Sequence, residues 1–272
     1  MKQPIRFSSV MFWFGMAFLY LPMLSLVIYS FNSSRLVTVW AGWSTKWYGE
    51  LFRDEGLMAA VWRSLEVAFW SANTAVCLGV LASVALTRFG RFRGRSMLHS
   101  LVAAPLVMPD VIIGLSLLLM FVSMADVLGW PQERGLFTIW IAHATFGTAY
   151  ATVVISSRLK ELDRSFVEAA MDLGAAPVKA FVQVTLPIIM PALVSAWLLA
   201  FTLSLDDVVI ASFVSGPGAT TLPIEVFSSV RLGVSPKINA LATLIILIVS
   251  LVTLVAWWLS RRKLKRDKLV RS

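Results

Sequence analysis

The sequence predicts an all-α integral membrane protein with six transmembrane helices. Hydrophobic residues make up 58% of its 272 positions and charged residues only 14%, well below the roughly 25% charge of soluble globular domains. The apolar residues gather into six long runs, and the basic residues gather at alternate ends of those runs. A hydrocarbon core about 30 Å thick needs about 20 apolar residues per helix. The runs that meet this requirement are residues 11–31, 65–86, 98–124, 136–156, 188–211 and 238–259.

Orientation follows from Lys and Arg. Lys2 and Arg6, then Arg88, Arg91, Arg93 and Arg95, then Arg158, Lys160, Arg164 and Lys179, and finally seven in the tail from Arg261 to Arg271 fall on one side. The other side holds only Arg35, Lys46, Arg53, Arg63, Arg134, Arg231 and Lys237. The positive-inside rule therefore puts both termini in the cytoplasm. The net charge of +9 is spread over short loops, as membrane insertion requires, which argues against nucleic-acid binding.

The first run follows Lys2 and Arg6 but is too long for a secretory signal core, and no small-residue cleavage pattern follows it, so it is expected to remain as the first span. Cys77, the single cysteine, has no partner within one chain and reads as small apolar packing. Gly79 and Ser83 form a small-xxx-small pair suited to a close helix crossing.

The loops hold no soluble domain. The longest, residues 32–62, carries Trp40, Trp43, Trp47 and Tyr48 and suits an interfacial segment. Ser215-Gly216-Pro217-Gly218 reads as a turn; no Lys-Ser or Lys-Thr follows it, so it is not a phosphate loop. With no such signature anywhere, the chain is not expected to hydrolyse ATP. His99 and His143 have no Cys or carboxylate cluster around them in sequence, so no metal site is expected. Gly114-Leu115-Ser116 lacks the second glycine of a serine elbow.

Residues 161–187 form a polar cytoplasmic segment between long spans. Ser165 and Glu168 have the spacing of a capping box, which predicts a short helix with Phe166, Ala169, Ala170 and Leu173 on its apolar side. Gly174 can stop that helix in the left-handed conformation. Pro177 fits the first turn of a second helix, which carries Val178, Phe181 and Val182 toward Pro187. Two short helices about a glycine bend make a knob suited to a groove on another protein. The same spacing equally fits a connection whose apolar side rests on lipid.

Glu168-Ala169-Ala170, Gly174 and Leu186-Pro187 resemble the signature loop of the permease subunits of bacterial ABC importers, in particular the type I architecture. The likeness extends over nearly the whole chain. Phe31-Asn32-Ser33-Ser34, Trp40-Ala41-Gly42-Trp43-Ser44, Met108-Pro109-Asp110 and Ser204-Leu205-Asp206-Asp207 are similar to polyamine importer permeases, most closely the putrescine type. The resemblance implies a single permease domain over residues 1–272 in a bacterial inner membrane, with residues 161–187 as its coupling loop. It implies as partners a second, related permease, two copies of a cytoplasmic ATPase and a periplasmic polyamine-binding protein. No cofactor is then held by this chain, and ATP and Mg are used by the partner ATPase. Glu168, Ala169, Ala170, Gly174 and Pro187 would belong to the coupling element that docks on that ATPase.

A polyamine is a flexible polycation, so its path calls for weak anionic stations. Asp110 in the third run and Asp206 with Asp207 in the fifth are carboxylates where lipid tolerates none, each costing about 2.5–3.5 kcal/mol at a helix centre, which makes them the pathway candidates. Helix neighbours point about 100° apart, so only one of Asp206 and Asp207 can face a narrow path, the other pairing elsewhere or capping irregular backbone. Asp110 follows Pro109 and can equally satisfy backbone freed by a kink. Trp47 is a candidate ring for an ammonium group near the periplasmic entrance and equally an interfacial anchor. Glu66 is placed to pair with Arg63 at i, i+3. The rival reading is a stand-alone secondary transporter or channel for a small cationic solute; such a protein shows an internal repeat with matching broken helices, and none is evident between the halves.

Overall fold

The computed structural model describes residues 7–36, 39–232 and 235–271. Lys2 and Arg6 of the topology argument lie outside the described residues, and the tail is described as helix only. Among the described residues, six helices are long and apolar enough to cross a membrane: Phe7–Ser30, Glu55–Thr87, Asp110–Leu128, Leu136–Glu161, Pro177–Asp206 and Pro236–Val255. The six-span expectation therefore holds. The chain divides into two compact units, Met1–Met58 with Ser228–Ser272, and Ala59–Phe227.

The first unit contains α1 (Phe7–Ser30), α2 (Lys46–Arg53) and α12 (Pro236–Arg271), which follows α11 (Leu222–Leu232) in the chain, and α12 packs on both α1 and α2. α1 is apolar all round and buries only Ser30, as expected of a helix whose surroundings are lipid or another protein. The loop after α1 is folded around one side chain. Asn32 Nδ2 donates to the Val39 carbonyl at 2.7 Å, and its Oδ1 accepts from Ser34 N–H at 3.1 Å and Ala41 N–H at 3.0 Å. Asp54 starts α3 (Glu55–Thr87) by accepting the Leu57 N–H at 3.1 Å, and it pairs with Lys237 at 2.9 Å. The Lys237 ammonium first, and the Leu57 N–H second, hold the Asp54 carboxyl below its usual range.

The second unit is built on α6 (Leu136–Glu161), the most buried of the spans. Small residues let its neighbours approach. A Cβ on Gly79 of α3 would lie 2.8 Å from the Ala151 Cβ, and Ser83 Oγ donates to the Thr152 carbonyl at 3.0 Å. The Gly79–Ser83 pair is thus a close helix crossing, as its spacing predicts. A Cβ on Gly147 would meet Ala75 at 3.1 Å and Ala200 at 3.4 Å, so α3 and α9 (Leu186–Asp206) both close on α6 there. Arg88, just past α3, donates to the Leu159 carbonyl at 3.0 Å and so satisfies the end of α6.

Two spans depart from the sequence expectation. The third run is not one helix: α4 (Arg95–Val107) ends before an extended Met108 (φ −78°, ψ 138°), and α5 (Asp110–Leu128) begins after Pro109. Proline lacks the N–H that would continue the ladder and disfavours the helical conformation at the preceding residue. The fifth run, expected to be helical through residue 211, stops at Asp206; Asp207 is extended (φ −69°, ψ 125°), and a short α10 (Val209–Val214) follows.

α5 and α10 run side by side in the same direction. A Cβ on Gly114 would meet the Phe213 ring at 2.6 Å and the Ile210 Cα at 3.3 Å, while further along Ala125 and Asp126 border the same cavity as Gly216 and Pro217. Where a Cβ on Gly216 would stand lies the Arg134 carbonyl, so the turn before Pro217 requires glycine.

Candidate functional site

Two polar features interrupt the apolar second unit, one at the end of the spans and one among them. At the end lies the knob: α7 (Ser165–Asp172), a turn at Gly174, and α8 (Pro177–Ala180), which passes through a π-helical turn (Phe181–Thr185) into α9. The capping box expected of Ser165 and Glu168 is absent. Asp163 Oδ1 accepts the Ser165 N–H at 3.0 Å instead, and no side chain caps α7 from its N-cap, Arg164. An aspartate two residues upstream makes the local Asx turn before the serine can act.

α7 ends as its glycine predicts. Gly174 has φ +89°, its N–H donates to the Met171 carbonyl at 2.9 Å, and the Ala175 N–H donates to the Ala170 carbonyl at 3.0 Å. These are the bonds of a left-handed helix stop. Pro177 takes the first position of α8. Glu168, Ala169, Gly174 and Pro187 are exposed and Ala170 is half-buried. Leu173 is 91% and Val178 76% exposed, an apolar surface that the rest of the described chain leaves uncovered. Beside it runs a groove of about 490 Å³ bordered by Phe89, Val167, Glu168, Met171, Val178 and Phe181.

The second feature gathers at the two breaks. Asp110 opens α5 and is exposed; its carboxylate sits at the positive end of that helix's dipole. One turn on, Gly114 faces Ile210 and Phe213, so Asp110 stands at about the depth of the α9–α10 break. Asp206, the last residue of α9, is also exposed. The two neighbouring aspartates are not consecutive residues of one helix. The Asp207 carboxylate turns back onto α10, its Oδ1 accepting from Ile210 N–H at 3.2 Å and its Oδ2 from Ala211 N–H at 2.7 Å. His143 on α6, set aside in the sequence as lacking ligands, meets the same carboxylate: Nε2 lies 3.1 Å from Asp207 Oδ2, and Nδ1 lies 2.7 Å from Ser204 Oγ. Sequence reasoning missed this contact because residues 143 and 207 are joined only by the packing of α6 on α9.

Trp47 lies in the other unit and is not an open ring. It is 5% exposed, its indole N–H donates to the Asn32 carbonyl at 2.6 Å, and the Lys46 ammonium sits 4.5 Å from its ring centroid. Glu66 makes no ion pair with Arg63 among the described residues and borders a groove with Trp70, Phe137 and Trp140.

Against known families, residues 75–265 match the model described as "Binding-protein-dependent transport system inner membrane component". The chain belongs to that family. With its six candidate spans the chain is a multi-pass inner-membrane component of such a transport system. The chain is 66% identical to the putrescine transport system permease protein PotI of Escherichia coli K12, over 93% of this chain and 90% of the relative. It is 41% identical to the spermidine/putrescine transport system permease protein PotC of the same strain, over 88% of each. Among solved structures, it is similar to a chain of a bacterial ABC transporter that imports the acidic polysaccharide alginate, with a TM-score of 0.72 and 20% identity, covering 92% of this chain and 94% of that one. A second similar fold is that of the MetNI methionine ABC transporter, with a TM-score of 0.58 and 21% identity, covering 74% of this chain and 91% of that one. At these identities the structural likeness speaks for the fold.

Proposed function

We propose that the chain is the permease subunit of an ATP-driven polyamine importer, with putrescine the foremost cargo, and forms half of the translocation path. The observation that carries the reading is the 66% identity to a putrescine permease along 93% of the chain. The exposed knob and the carboxylates at two helix breaks supply the physical means.

In this reading the surface of Glu168, Ala169, Ala170 and Gly174 seats in a groove of a cytoplasmic ATPase. The knob continues through the π turn into α9 with no non-helical residue between. Movement of the ATPases on binding ATP is therefore delivered to the span that ends at Asp206. Two ATPase copies, a second permease and a periplasmic binding protein complete the assembly, ATP and Mg being handled by the ATPases. Both chain termini lie in the cytoplasm, on the side of the knob. Asp110 and Asp206, exposed carboxylates at one depth, act together as a weak station for ammonium groups, while Asp207 caps α10. Trp47, buried and already hydrogen-bonded, serves the fold of its loop.

Reconstitution tests the whole. Proteoliposomes holding this chain, its partner permease and the ATPase should accumulate labelled putrescine only with ATP and the binding protein. Accumulation by this chain alone, driven by an ion gradient, would establish the secondary-carrier reading instead.

A further inference from the structure

The break between α9 and α10 has one local signal, the Asp207 carboxylate that caps α10. Residues 205–209 read Leu-Asp-Asp-Val-Val, without the proline or glycine that ends most helices, yet Asp207 is extended and the helix stops. What spans the break is one imidazole. The His143 side chain is 2% exposed, is carried on the most buried span, and touches both sides: Ser204 in the last turn of α9 and Asp207 at the head of α10.

The hydrogen bonds fix the polarity of this bridge. Asp207 accepts two backbone N–H groups of α10, so it acts there as an acceptor, and the ring nitrogen facing it, Nε2, is the one that donates. In the neutral ring Nδ1 is then the acceptor of the Ser204 hydroxyl. With three donors on it, the Asp207 carboxylate is held in place. Asp206, next in the chain, is exposed and has no ion-pair partner among the described residues.

We propose that His143 is a positioning residue of the cation path, acting through Asp207: by bridging Ser204 and Asp207 it keeps α9 and α10 apart at the break and leaves Asp206 as the one free carboxylate of the pair. This rests on the reading of Asp206 as a station for polyamine. Without the bridge only the cap of Asp207 on α10 opposes continuation of α9, and continuation turns the Asp207 side chain by about 100° from Asp206, off the α10 N–H groups. Asp207 would then stand as a second uncapped acid beside Asp206, and the division of the pair would be lost.

The test uses the complete reconstituted transporter and reads putrescine delivered per ATP hydrolysed. His143→Phe keeps a ring of similar size without its nitrogens, and the ratio should fall about tenfold. His143→Gln, which keeps a donor amide near the Nε2 position, should recover to within about threefold of the wild type. On an Asp207→Asn background, His143→Phe should add nothing, because residues acting as one unit are not additive. The proposal is overturned if His143→Phe leaves the ratio unchanged, if His143→Gln is as impaired as His143→Phe, or if the double variant shows the product of the two single effects. Should His143→Phe fail to assemble, Ser204→Ala removes the second contact of the ring and carries the same test, with a fall of about threefold expected and an unchanged ratio overturning the bridge. Asp206→Asn separates the two claims. An unchanged ratio in that variant refutes the station, while the His143 and Asp207 cycle still decides the bridge.

Discussion

At Asp207 two backbone N–H groups and a histidine converge on one carboxylate, whereas Asp206 beside it stands open. Neighbouring residues of one type thus divide into a structural and a free acid, and their substitutions should differ in kind. Asp206→Asn should lower putrescine uptake about tenfold while the complex elutes unchanged in size-exclusion chromatography. Asp207→Asn should in addition destabilise the chain by about 1–3 kcal/mol, the range for weakening a buried charged acceptor, read as a lower thermal midpoint in detergent. Equal midpoints in the two variants would remove the distinction. The composition already marked both aspartates as costly in lipid; it did not say which was satisfied, because the donor on α6 is more than sixty residues away in the chain. The same limit hid the fold of the first loop, where Asn32 gathers Val39 and Ala41 through its side chain, and it hid nothing at Gly174, whose role is local and is read directly from a helix stop followed by Pro177.

Among the elements, the knob is the most legible and the broken spans the least. Its two helices, its glycine turn and its proline start follow from short-range rules; the cap shifted, from Ser165 to Asp163, and the π turn at Phe181–Thr185 had no such signal. In the third span Pro109 was visible as a kink but amounts to a full break, because the extended Met108 lets the chain restart with Asp110 in a first turn. The knob supports a direct expectation. Gly174→Val places a branched side chain at φ +89°, where it is strained, and Leu173→Asp puts a charge on an apolar surface 91% exposed. Both should abolish ATP-coupled uptake while membrane insertion stays normal. Normal co-purification of the ATPase together with normal uptake in both would count decisively against docking at this surface.

For the molecule as a whole, the six spans come from composition, since lipid thickness acts on the chain before any packing does, and the side of each loop is what the positive-inside rule leads one to expect. Orientation is open to a direct chemical measurement. In a Cys77→Ser background, Leu173→Cys should react with a membrane-impermeant maleimide in inverted vesicles and stay unlabelled in intact spheroplasts; the opposite pattern would invert the topology. Stability of the first unit carries its own signature. Asp54 is held below its usual range by Lys237, so the contribution of this pair is complete above the unfolded value of 3.8 and fades as pH falls through the lower folded value. The partly exposed pair is worth about 1 kcal/mol or less. Asp54→Asn should lower the thermal midpoint slightly at pH 7 and lose the part of the decline below pH 4 that the wild type shows.

The wide turn at Phe181–Thr185 has a mechanical corollary. A π turn holds one residue more than the α-helical path it replaces, so it keeps the angular phase between the knob and the shaft that follows. Deleting Val182 would let the wide turn close to ordinary pitch with the docking surface still near its aim, whereas deleting Ile188 from the regular helix beyond would swing that surface by about 100° about the shaft, leaving every contact residue intact but aimed away from its motor, like a gear cut perfectly and keyed to the axle one tooth out.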